Sequence, residues 1–161
     1  MFGADPATFA ALFAALYAAH QVGDHWVQTQ HQATAKAARG WAGRLACARH
    51  VATLTATKAA AVALVAAVVG LAVHPAYVAA GLAIDAASHY WADRRTTLAA
   101  LAAWMGRTLS PGKADFFYLG APRPGRDDAP HLGTGAYALD QSWHVGWLLV
   151  AALVAAMGVT S

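Results

Sequence analysis

The chain has 161 residues, enough for one domain. Charged residues are 12% of it, about half the ~25% of an ordinary soluble domain, while AVILMFWYC make up 58%. Such an apolar, charge-poor composition argues against disorder, and a formal charge of +3 without a basic stripe argues against nucleic acid as a partner.

The elements are predicted in chain order. A first span covers residues 6–28, with Pro6 in the first helical turn and Asp5 as its N-cap. The preceding MFGADPATF start has no Lys or Arg, so residues 1–28 are expected in the mature fold and not in a cleaved signal. A loop over about Thr29–Arg49 holds Lys36, Arg39, Arg44 and Arg49 and no acid. The second span, 54–74, is reached by extending an apolar run back through Lys58, whose ammonium is expected to snorkel to the headgroups. His74-Pro75 is a tight turn that sends the third span, 75–92, back antiparallel. Segment 93–139 divides into a short interfacial helix, Thr96–Leu109, and a Pro- and Gly-rich loop, Ser110–Gly135, long enough for a lid. The fourth span is 141–159. The expected fold is therefore all-α: a polytopic membrane bundle of about four transmembrane helices in one domain, 1–161, with a cytoplasmic interfacial helix and loop. A soluble bundle requires a polar face on each helix, and the second and fourth spans have almost none.

Orientation follows from Lys and Arg in short loops. The first loop and Asp93-Arg94-Arg95 are basic, whereas the N-terminus, the His74-Pro75 turn and Thr160-Ser161 have no Lys or Arg. Both termini are expected outside, with the first loop and 93–139 in the cytoplasm. Trp26, Trp91 and Trp143 then fall at the cytoplasmic ends, as an aromatic belt does.

Three Asp/His pairs share a four-residue step: His20 and Asp24, Asp85 and His89, Asp140 and His144. That step puts two side chains on one helix face. The orientation sets all three pairs, and His50, at the cytoplasmic ends of the spans. Ionisable groups in membrane helices face the bundle interior, so His20, Asp24, His50, Asp85, His89, Asp140 and His144 are expected to converge. Imidazole and carboxylate suit Zn, Mn or Fe, with one or two divalent ions as cofactor. A hydrogen-bonded network that fixes helix register, and a proton relay, stand as alternatives. Gln28, Asp93 and Gln141 are expected to hydrogen-bond around the ligands. Gly23 is expected to allow close helix approach. Arg123 and Arg126 offer guanidinium forks for a phosphate-bearing substrate. His25, His31, His74 and His131 stand outside the pattern. Single Cys47 excludes an internal disulfide and reads as apolar filler. No HExxH, GxSxG or phosphate-loop motif is present.

The runs HQVGDHWVQTQ (20–30), Arg49-His50, AIDAASHYWADRR (83–95) and ALDQSWH (138–144) resemble the bacterial family described as domain of unknown function 3307. That family shows H-x-x-x-D-x-x-x-Q, a later D-x-x-x-H, and D-Q-x-x-H before its last helix. The resemblance implies a small polytopic inner-membrane protein, without an activity. A more distant similarity to small membrane-bound metal-dependent hydrolases rests on His and Asp at helix ends.

The functional expectation is an integral membrane protein with a metal site at the cytoplasmic helix ends. Hydrolysis of a lipid head group or another phosphoester is the natural chemistry. An ion or metal transporter, or a structural protein with a polar layer, are the alternatives. The bilayer is the expected partner, and a bundle this small is able to form homo-oligomers.

Overall fold

The computed structural model describes residues 4–121 and 134–157, and these contain helices and turns but no strand. Helix α1 (Pro6–Val22) starts as the sequence suggests. Asp5 Oδ2 accepts the Thr8 N–H at 2.7 Å, and that bond holds the Asp5 carboxyl below the usual carboxylate range. The chain does not leave its helical path at Val22. Gly23 keeps right-handed angles, and one π-turn over Gly23–Val27 closes with Gln28 N–H donating to Gly23 O at 3.0 Å.

The expected Thr29–Arg49 loop is mostly helix. Helix α2 (Gln30–Ala35) opens on a capping box between Thr29 and Gln32. Helix α3 (Gly40–Val69) then runs 30 residues, about 45 Å. Its first turns form because Gly43, Ala46, Cys47 and His50 recur at helical spacing and are all buried. Cys47 fills that seam with its Sγ 3.8 Å from Tyr90 O. The helix stops at Gly70 in the left-handed region (φ 69°), which glycine adopts without strain. Helix α4 (Pro75–Asp93) begins at the expected Pro75 and returns beside α3.

Helix α5 (Thr96–Thr108) falls where a short helix is expected. The expected loop after it contains a short helix, α6 (Lys113–Phe117), and ends where α7 (Gly135–Ala156) begins. Thr134 caps α7 by accepting the Tyr137 N–H at 3.2 Å. Gly135 lies against α6: a Cβ there would sit 1.5 Å from Phe116 O. Helix α7 thus starts before the expected 141, and Asp140 lies inside it. Arg123, Arg126 and His131 lie outside the described residues, as do 158–161.

Four helices form the bundle. Helix α1 packs on α3 and α7, and α4 packs on α3 and α7, so α1 and α4 face each other across a diagonal. Gly81 permits close approach of α4 to α7, since a Cβ there would lie 2.5 Å from Ala151 O. Gly23 sits on Leu54 of α3, consistent with its expected packing role. One end of the bundle is apolar, built on Leu12, Leu16, Val62, Leu148 and Ala152. The opposite end holds the polar layer. Helices α5 and α6 cover the start of α7 through Leu98, Ala102 and Phe117.

Two helices among the described residues are long and apolar enough to cross a membrane: α3, with mean hydropathy 1.8, and α7, with 1.2. The α-helical part of α1 is 17 residues long, and the last turns of α4 carry Asp85, His89 and Asp93.

Candidate metal centre

Each wall of the bundle contributes to one buried cluster. His20 comes from the end of α1, Asp24 from the π-turn, His50 from α3, His89 and Asp93 from α4, and His144 from α7. The four histidines are at most 1% exposed. The His89 and His144 rings stack at 3.8 Å between centroids, and His50 lies 5.2 Å from His89. The His20 ring reaches His89 across the diagonal at 5.5 Å and His144 at 5.2 Å.

Three atoms define the heart of the cluster. His50 Nε2 and His89 Nε2 are 3.1 Å apart, and Asp93 Oδ2 is 3.3 Å from the first and 3.2 Å from the second. Asp24 Oδ1 adds a fourth atom 3.1 Å from His50 Nε2. Bonds of about 2.0–2.1 Å from a central ion to tetrahedral ligands put those ligands about 3.3–3.4 Å apart. The observed triangle has nearly these edges. Asp24, His50 and His89 offer donor atoms within 4.8 Å of one another, and so do His89, Asp93 and His144.

Hydrogen bonding accounts for only part of this packing: His50 Nε2 and His89 Nε2 lie within hydrogen-bond distance of each other, at 3.1 Å. Asp24 Oδ1 and Asp93 Oδ2 are buried with imidazole nitrogens 3.1–3.3 Å away, yet neither receives a well-aligned hydrogen bond among the described residues. Both ring nitrogens of His20 and of His144 are likewise buried without a partner. If His50 Nε2 and His89 Nε2 both carried protons toward Asp93, those protons would face each other. Lone pairs that converge on a cation remove the conflict, so the donor set fits a divalent ion. Charge points the same way: Asp24 and Asp93 are two buried carboxylates, and among the described residues Lys36 is the one ammonium in ion-pair contact with them.

Lys36 enters from the segment between α2 and α3. It is 6% exposed, with Nζ 2.9 Å from Asp93 Oδ1 and 3.8 Å from Asp24 Oδ1. Arg94 holds this segment by donating to Lys36 O at 2.5 Å and Ala38 O at 2.6 Å. Gln141 Nε2 donates to Asp24 Oδ2 at 3.4 Å, linking α7 to the π-turn.

Several expectations change. Asp85 is not in the cluster: its Oδ2 accepts from Lys58 Nζ at 2.6 Å, and both are almost fully buried. Lys58 therefore does not snorkel; its face of α3 carries His50 and Leu54 inward, and it follows them. Asp93, expected beside the ligands, is central, because α4 continues helically one turn past His89. Gln28 does not extend the Asp24 face, because the π-turn changes the winding and the helix ends there. Its Nε2 has no partner among the described residues. Asp140 stands at the edge, 23% exposed, with Oδ1 3.5 Å from His144 Nε2. It also lines a cavity of about 310 Å³ with Arg95, Thr134 and Tyr137. Lys36 and Lys58 were the residues missed. For Lys58 a signal existed, since it lies two helical turns from His50.

Searches against protein-family models, curated proteins and solved structures find no match to this chain.

Proposed function

We propose that this chain is a four-span protein of a bacterial inner membrane, with a divalent metal site at its cytoplasmic end that hydrolyses a phosphoester of a lipid head group. The observation that carries this reading is the buried triangle of His50 Nε2, His89 Nε2 and Asp93 Oδ2, with edges of 3.1–3.3 Å. The residues that meet there belong to the motifs resembling domain of unknown function 3307.

Membrane residence is supported by what the bundle leaves uncovered. Leu64, Val68 and Val69 of α3 are 63–75% exposed, and Leu149 and Leu153 of α7 are also exposed. In a soluble bundle these positions would be polar. Trp26 and Trp41, 86% and 81% exposed, stand at the end that holds the polar layer, where an aromatic belt meets the headgroups. In the four-span reading, α1 with its π-turn supplies the first crossing and α4 the third. His20 and Asp24 of the first, and Asp85, His89 and Asp93 of the third, are turned into the bundle.

His50, His89, Asp93 and Asp24 would hold the ion, with His144 and His20 completing the site or holding a second one. Zn, Mn and Fe all suit this set. A divalent ion there supplies Lewis acidity and brings the pKa of water toward ~7. Lys36 pairs with both carboxylates and holds them in place. Asp140 is the cluster's exposed carboxylate, with Oδ1 3.5 Å from His144 Nε2, and is positioned to take the proton from an attacking water.

The transporter alternative requires a polar path onward. Below Lys58 and Asp85 the bundle is closed by Leu12, Leu16, Val62 and Leu148, which favours hydrolysis. The structural alternative leaves the unpartnered imidazole nitrogens unexplained. Purified full-length protein is expected to release phosphate from a single-chain lipid phosphate and to lose that activity with chelator and in Asp140→Asn. Chelator-resistant activity, or an unchanged Asp140→Asn, contradicts the reading.

A further inference from the structure

Next to the site lies a second cavity, of about 420 Å³, between α5, α6 and α7. Its walls are apolar, with Leu98, Leu101, Met105, Trp143, Trp147 and Val150. Gly146 leaves it open: nothing lies within 4 Å of a Cβ built there. Lys113 stands on its rim with the ammonium over Phe116. Leu98 is a wall shared with the smaller cavity of Arg95, Tyr137 and Asp140. The two cavities thus form an apolar groove beside a polar chamber that opens on the edge of the Asp/His cluster.

Arg95, at the N-cap of α5, lines that chamber. It is the non-glycine residue with positive φ (55°) among the described residues, and its side chain is exposed in the cavity. Asp140 shares the chamber, but its carboxylate is turned to His144 and to Gln141 Nε2, 3.4 Å away. Among the described residues the guanidinium has no acidic partner. An apolar slot of this size, with cations at its rim and in the adjoining chamber, complements a hydrocarbon chain that ends in an anion.

We propose that this groove binds the hydrocarbon chain of a bilayer lipid with a phosphate monoester head, and that Arg95 takes the phosphate beside Asp140. This names the substrate class of the proposed hydrolase and rests on that reading for the direction of the head group. The binding itself does not require metal.

Native mass spectrometry of the detergent-purified full chain tests it with two probes, oleoyl lysophosphatidic acid and oleoyl lysophosphatidylcholine, both in the presence of chelator. The expected result is one bound lysophosphatidic acid, held roughly tenfold more tightly than the choline lipid. Gly146→Leu places its Cβ in open space at the groove and is expected to lose both lipids while unfolding at the wild-type temperature. Arg95→Gly suits the positive φ and is expected to bind both lipids equally. Undiminished binding by a folded Gly146→Leu, or no head-group preference in the wild type, overturns the inference. Because chelator is present throughout, failure here is distinct from failure of the metal site, which is read by metal content.

Discussion

Asp93 touches more of the site than its place in the sequence suggests: Lys36 at 2.9 Å, His89 at 3.2 Å, His50 at 3.3 Å and His144 at 3.9 Å. One carboxylate thereby ties α4 to α3, to α7 and to the segment before α3. The Lys58–Asp85 pair works differently. It is a buried ion pair at 2.6 Å, one helical turn from His89 on α4 and two from His50 on α3. Removing one partner strands a buried charge, which costs about 3–5 kcal/mol, whereas replacing both by apolar residues of similar volume is often neutral or stabilising. Lys58→Met is therefore expected to lower the unfolding temperature in detergent strongly, and Lys58→Met with Asp85→Leu to restore it. A double variant as unstable as the single one would show that the pair does more than neutralise itself.

At the scale of elements, the π-turn is the feature that shapes the site. Its extra residue per turn points Asp24 at His50 and sets the direction from which α2 delivers Lys36. Deleting His25, an exposed residue of the turn, shortens it toward regular winding. The expected outcome is a protein of similar helicity whose metal affinity falls by roughly 10–100-fold, the usual scale for disturbing groups around a metal ligand. Circular dichroism and metal titration check this; unchanged affinity would remove the turn from the account. Nothing in GDHWV marks a π-turn in the sequence, since one extra residue in a helix leaves no propensity signal. The four histidines were legible because His20, His89 and His144 have an aspartate one turn away, and the topology puts His50 at the same end. The roles of Asp85 and Asp93 were not, because spacing alone gives both the same face of α4. Only Lys58, two turns along α3 from His50, separates the ion-paired aspartate from the central one. The helical character of 40–49 was hidden by its arginines, which read as loop charge although they lie on the outer face of α3.

For the whole molecule, the polar layer lies at one end of the bundle and the apolar cluster at the other, and the proposed orientation puts the layer on the cytoplasmic side. A reporter fused after Ser161 is expected to read as external and one inserted near Pro111 as cytoplasmic; the reverse result would place the layer on the other side. The central claim is that the cluster binds a divalent ion, and X-ray absorption on purified full-length protein tests it most directly. The account predicts stoichiometric metal with nitrogen and oxygen ligands at about 2.0–2.1 Å, including at least two imidazoles, lost in Asp93→Asn. A folded wild-type protein that takes up no divalent metal, or an Asp93→Asn variant that binds it as well as the wild type, would contradict it.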